Sequence, residues 1–384
     1  MRKLTATLMA SAMAFGLGTG AFAQTMGVTD DEIVIGSVND LSGIFAAVGV
    51  PAVNGANMRI DELNEAGGVH GRKIRFIVED NGYQIPRAMQ GYNKLVNKDG
   101  VFAMLLSLGT PMNIAGFKLL DPKGIPNVSP LSAASQMLME PIDNKFAGFS
   151  TYTQQVVSGI TFLVKDKGIK TVCSMSIPSD FGKAISNGTK AVAEGMGLTF
   201  GDETTHKPDE LDFVGSLQKL AASNCELITL AVGVRQGITI VGTAKKMGLT
   251  GLTFMNTSAG FLEPVAGVPG GVTDGLYAAA GFPDLYSRAG DEAPGKFIAG
   301  YQAKYGEPAS MFAMLGYSGA DTLIRALEAA GPDLTQEGFI AAMEGLKYDD
   351  PLTGMSIDMA DHQGSDVVVI SVVEGGVWKE VGRQ

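Results

Sequence analysis

Residues 32–81 read EIVIGSVNDLSGIFAAVGVPAVNGANMRIDELNEAGGVHGRKIRFIVEDN. The stretch opens with an apolar run, Ile33-Val34-Ile35, that ends in Gly36-Ser37-Val38. A polar, Gly-bearing loop follows, Asn39-Asp40-Leu41-Ser42-Gly43. Val53, Ala56, Ile60 and Leu63 then recur at helical spacing, with Asn57, Arg59, Asp61, Glu62 and Glu65 on the other face, which predicts an amphipathic helix. Pro51 suits its first turn and Gly67-Gly68 its end. A second apolar run, Ile74 to Val78, is closed by Glu79-Asp80-Asn81. Strand, loop, helix and strand in this order make a βαβ unit, whose parallel strands need a right-handed crossover.

Outward from this unit, helix and strand keep alternating. Helices are predicted over 86–98 and 110–120, and strands over 101–106 and 124–128, followed by the small-residue loop 130–135. A second round starts near Phe149, with a helix over 153–167 and strands at 171–177, 198–204, 227–232 and 252–255. Asp180 and Asp212 are the expected helix caps. After a strand at 276–280, helices dominate from Pro294 to Leu346, and two last strands are expected at 352–357 and 367–373. Such alternation argues for an α/β fold of doubly wound parallel sheets.

Arg2-Lys3, an uncharged and mostly apolar run to Phe22, and the small residues Ala21 and Ala23 read as a cleavable secretory signal over 1–23. The alternative is a membrane anchor, against which the Gly-rich, small-residue end argues. No cysteine closes the segment, so a lipid anchor is not expected. Removing 23 of 384 residues leaves 361, beyond the ~250–300 at which single cores stop growing, so two domains are expected. The net charge of −11 and pI near 4.8 argue against nucleic acid or anionic membrane as partners. Two cysteines in an exported chain admit one disulfide or two buried thiols. In a doubly wound second half, the strands carrying or following Cys173 and Cys225 are neighbours, so a disulfide between them is the expectation.

Chemistry-bearing motifs are missing. There is no P-loop, and no Gly-x-Ser-x-Gly outside the signal. His70, His206 and His362 lack metal-ligand spacing and are expected on surface loops, and paired acids such as Asp349-Asp350 are expected as solvated edges. Neither a cofactor, a metal nor a catalytic residue is expected. The architecture itself provides a site, because open α/β sheets bind ligands beyond the carboxyl ends of their strands. The loops there are 41–49, 107–112 and 129–135 from one half, and 177–182, 233–237 and 256–261 from the other. Free N–H groups where loops run into helices can receive a carboxylate.

The blocks Leu41-Ser42-Gly43, Asn54-Gly55-Ala56 and Asn64 to Lys73, with the acidic strand end, resemble the leucine/isoleucine/valine-binding protein family of ABC importers. Weaker matching blocks continue to about Val377. The resemblance implies a type I binding fold of two lobes joined by three crossings, near Phe149, Phe282 and Thr353. One lobe would take residues 24–149 plus 283–353, the other 150–282 plus 354–384. It also implies a ligand site. The family's first-loop aromatic falls on Val48, with Phe45 nearby, and its carboxylate-holding serine on Leu108, beside Ser107. A carbonyl and threonine pair falls on Ser132 and Ala133, and three aromatics fall on Phe181, Val234 and Phe312. The acid that pairs the ligand's ammonium falls on Ser258.

A periplasmic, monomeric binding protein, not an enzyme, is therefore expected. It would capture an amino acid or other small carboxylate and dock on an importer permease, or hand its ligand to a membrane sensor. A secreted enzyme would need a nucleophile–base pair, which the sequence does not offer. With Ser258 in place of an acid and Arg235 adding a cation, a carboxylate without a mandatory ammonium is the preferred ligand, with Phe45, Phe181 and Phe312 packing its apolar part.

Overall fold

The computed structural model describes residues 25–384; the expected signal segment, 1–23, lies outside them. In the first half, β1 (Glu32–Asn39), α1 (Ala46–Glu65), β2 (Lys73–Asp80) and α2 (Ile85–Lys94) follow in order, then β3 (Ala103–Leu105), α3 (Thr110–Leu120), β4 (Asn127–Val128) and β5 (Lys145–Phe146). The five strands form a parallel sheet in the order β2-β1-β3-β4-β5. Alternate residues of β1 feed opposite faces. Ile33 and Ile35 enter the larger core, while Val34 and Val38 join a separate cluster with Tyr92, Leu95 and Phe117.

The second half runs α4 (Tyr152–Lys167), β6 (Thr171–Ser176), α5 (Asp180–Met196), β7 (Thr199–Thr205) and α6 (Val214–Ala222). It continues through β8 (Leu227–Ala231), α7 (Val234–Lys246), β9 (Thr253–Thr257), α8 (Glu263–Ala266) and β10 (Tyr277–Ala280). Next come α9 (Glu292–Tyr305), α10 (Met311–Ala330), α11 (Gln336–Glu344), the hairpin β11 (Lys347–Asp349) and β12 (Ser356–Asp358), then β13 (Val369–Glu374) and β14 (Val377–Arg383). The second sheet is mixed, in the order β14-β13-β10-β9-β8-β6-β7: β13 pairs antiparallel with β10, and β14 with β13. Cys173 on β6 and Cys225, just before the neighbouring β8, are joined by a disulfide with Cα atoms 5.8 Å apart. Among the described residues no helix is long and apolar enough to cross a membrane.

The chain leaves the first sheet after β5 and enters the second at β6; after β10, residues 281–291 lead to α9, and residues 359–368 lead from β12 back to the second sheet at β13. Thr353, near which the third crossing was expected, lies in the β11–β12 hairpin. The late helix α10 returns to the first lobe and packs along α1 at very short range. A Cβ on Gly55 would lie 1.9 Å from the Ala313 carbonyl oxygen, and one on Gly316 would lie 1.9 Å from that of Ala52. This contact fixes the start of α10, and with it Phe312, at the cleft. Helix α1 begins earlier than predicted, at Ala46, so Pro51 sits inside it. Two histidines differ from expectation as well. His206 is buried against Phe213, and His362 is buried and stacked on Phe146 at 4.6 Å. Asp350 is also buried, holding Leu352 N–H and the Thr353 hydroxyl.

Candidate ligand site between the lobes

The first wall is built by Asp40. Its carboxylate accepts the N–H groups of Gly43 at 2.6 Å and Phe45 at 2.9 Å, folding the loop after β1 so that Phe45 faces the cleft. Burial raises the Asp40 carboxyl, and the Phe45, Gly43 and Ser42 N–H groups pull the other way. A Cβ on Gly49 would lie 2.1 Å from the Asp40 carbonyl oxygen, so only glycine lets α1 start this close. The Phe45 ring meets Tyr83 at 4.7 Å and, across the cleft, Phe181 at 5.6 Å. The lobes are therefore closed on each other at this edge.

Asparagines hold the neighbouring loops. Asn39 donates to the Leu106 carbonyl at 2.7 Å, and Asn81 to that of Leu108 at 3.1 Å. Asn113 donates to the carbonyls of both Ser107 and Gly109. Gly109, at φ 103, turns the chain into α3, whose first turn has no side-chain cap. The Thr110 and Ser132 hydroxyls lie 2.8 Å apart at that turn, and Ser132 also accepts the Ala134 N–H. From the second lobe, Tyr152 opens α4 behind a Thr151–Gln154 capping box. Ser258 donates its N–H to Gln155 at 2.9 Å, and Phe181 opens α5 behind Ser179.

These walls enclose about 410 Å³ of non-protein space, counted to the mouth. Eight of the eleven residues anticipated from sequence line it: Phe45, Val48, Leu108, Ser132, Ala133, Phe181, Ser258 and Phe312. Three do not. Ser107 is buried under Leu108, where its hydroxyl accepts the Val38 N–H at 3.3 Å. Val234 and Arg235 start α7, where Gln236 caps the Gly233 N–H and turns inward. Val234 packs on the core and Arg235 is left exposed to solvent, so the expected rim cation is absent from the cavity. The residues not anticipated include Tyr83, Thr110, Phe149 and Tyr152. Thr110 lies within a loop that the architecture had marked; Tyr83, at φ 55 between β2 and α2, carries no local signal.

A family model described as periplasmic binding protein matches residues 32–376. The chain belongs to that family. Leu/Ile/Val-binding protein homolog 8 of Brucella suis biovar 1 (strain 1330) is 22% identical over 365 residues, covering 91% of this chain and 88% of the relative. Among solved structures, a fatty acid ABC transporter substrate-binding protein from Thermomonospora curvata superposes with TM-score 0.84 at 26% identity, covering 93% of each chain. An ABC transporter solute-binding protein from R. palustris in complex with benzoate gives TM-score 0.79 at 18% identity, covering 91% of this chain and 95% of that one.

In this periplasmic binding protein the cavity wall is uncharged. Among the described residues lining it there is no Asp, Glu, Lys, Arg or His. Burial pushes the Tyr152 phenol well above its usual range, with the Ala133 backbone opposing. Burial and the nearby Tyr152 do the same to Tyr83, with Ser179 opposing. Both phenols are neutral donors at any physiological pH. Outside the cavity, Asp80 anchors the loop. Burial alone would raise its carboxyl, but the Ser42 hydroxyl, the Leu41 and Gly82 N–H groups and Arg87 outweigh that and hold it at about 2. Asp180 is part-exposed and lies 3.7 Å from Lys183. Among the described residues no group of three or more His, Cys, Asp or Glu could hold a metal ion.

Proposed function

We propose that this protein is the periplasmic receptor of an ABC importer and that its cleft captures a small apolar carboxylate lacking an obligatory α-ammonium. The observation that carries this reading is the uncharged cavity with paired hydroxyls at a helix start. The Thr110–Ser132 hydroxyl pair, with one proton left over from its mutual bond, and the Thr110 and Met112 N–H groups of the first turn of α3, where Pro111 has none, offer donors to a carboxylate at the positive end of the helix. An ammonium would have no anionic partner, and burying it unpaired is unfavourable. Phe45, Phe181, Phe312, Leu108 and Leu131 provide the apolar remainder. The solved relatives named for fatty acid and benzoate fit such a ligand, while the Brucella relative's name fits an amino acid.

Ligand entering the open cleft would touch Thr110 and Ser132 on one lobe and Tyr152, Phe181 and Ser258 on the other. Only contact with both lobes lets it favour the closed form. The closed monomer would then dock on the permease, with no covalent step in between. A thermal-shift screen of amino acids, aromatic acids and aliphatic acids tests the reading. An apolar acid at a hundred times its dissociation constant should stabilise by roughly 2.7 kcal/mol. Stabilisation by amino acids alone would overturn it.

A further inference from the structure

Behind the ligand cavity lies a second compartment. Its non-protein space, open solvent at its mouth included, is about 510 Å³, and it shares Leu131 and Phe149 with the first. Phe282 lines the second compartment and Phe312 the first, with their rings 5.9 Å apart; Phe149 stands edge-on to Phe282 at 5.4 Å. The rings of Phe149, Phe282 and Phe312 thus stand where the two spaces meet. The segments after β5, β10 and β12 reach this space, through Phe149, Phe282 and Ser365. Its other walls combine the apolar Leu106, Leu315, Met355, Ile357 and Met359 with the polar Ser129, Thr322, Tyr348, Asp350 and Thr353. Ser318, only 9% exposed, lies between this space and a groove lined by Arg59, Glu62 and Asp321, and its hydroxyl has no partner within the described residues.

We propose that the two compartments form one site for an elongated monocarboxylate. Its head is held at Thr110 and Ser132, its chain passes between Leu131 and Phe149, and its far end lies beside Ser318. This rests on the carboxylate reading above and extends it to the ligand's length. Chain carbons in the second compartment are removed from water, and each buried methylene strengthens binding about four-fold. The position of the compartment adds a consequence. A chain lying there touches the segments after β5, β10 and β12, so longer acids hold the closed form more firmly than short ones.

Calorimetry on the full mature protein with butanoate, hexanoate, octanoate and decanoate tests this. Affinity should rise about four-fold per methylene beyond hexanoate. Filling the second compartment with Ser318→Phe should lower the decanoate-to-butanoate affinity ratio at least ten-fold. Enlarging it with Met355→Ala should move the optimum to a longer acid. Short acids binding with affinity that falls beyond hexanoate would overturn the inference and leave the carboxylate reading standing. So would a ratio unchanged in both variants. No binding by any acid would remove both.

Discussion

Glu263 opens α8 on the second lobe and accepts the Met311 N–H at 2.7 Å, one residue from Phe312 in the ligand cavity. Its other oxygen is shut off from water and has no partner. Burial pushes its carboxyl up to about 8, against its own and the Met311 N–H groups and helped by Asp284. The unfolded chain loses this proton near 4.5 and the folded one near 8, so folding stability falls as pH rises between those values and is flat above. Glu263→Gln keeps an acceptor for Met311 without the charge. It should stabilise the fold little at pH 5 and clearly at pH 8, by roughly 1–3 kcal/mol. An equal gain at both pH values would refute the burial argument. In the cavity, Thr110→Val and Ser132→Ala should each weaken acid binding by about 1.5–3 kcal/mol, the worth of a hydrogen bond to a charged group. Titration calorimetry of the two variants checks this. Val48, Leu108 and Ser258, expected from matched blocks that fix register beside the strand ends, line the cavity. Arg235 was misplaced because its orientation depends on Gln236, whose long-range bonds to the Lys207 and Glu210 carbonyls leave no sequence mark.

Among the elements, the α1–α10 pair sets the floor of the cleft, and its backbones meet at Gly55 and Gly316. A methyl at Gly316 must push Ala52 away, so Gly316→Ala should cost about 1–3 kcal/mol in urea unfolding, as overpacking does. It should also weaken ligand binding through Phe312. The β6–β8 edge is fixed by the disulfide, which spans a sequence separation of 52. Replacing both cysteines with serine should lower stability by about 4 kcal/mol in the chain-entropy model, while binding at saturating ligand survives. Strand β1 was legible because a continuous apolar run is what a doubly covered parallel strand needs, and edge strand β2 because Ile74, Phe76, Ile77 and Val78 interrupt its charges. Strands β5 and β14 were not. The first is two residues long and contains the fully buried Lys145, paired with Asp121 at 2.9 Å. The second is an edge strand whose alternating polar residues VWKEVGR face solvent.

At the scale of the molecule, the proposed function needs two lobes, one around each large sheet, to share one ligand. Phe45 against Phe181, and Gly233 beside Ile44, already bring the lobes into contact. Small-angle scattering should therefore show a larger radius of gyration for the empty protein, falling when an acid binds. An identical profile with saturating, confirmed ligand would contradict a hinge. The two-lobe plan was readable from alternation and length, whereas the uncharged lining was readable only in part, because Tyr83 and Tyr152 reach it from different lobes. The central claim is that this cleft takes a carboxylate and does not require an ammonium. Calorimetry with matched pairs, leucine against isocaproate and phenylalanine against hydrocinnamate, tests it most directly. The deaminated member of at least one pair should bind, and more tightly than its amino acid; micromolar binding of the amino acids with none by their deaminated partners would contradict it.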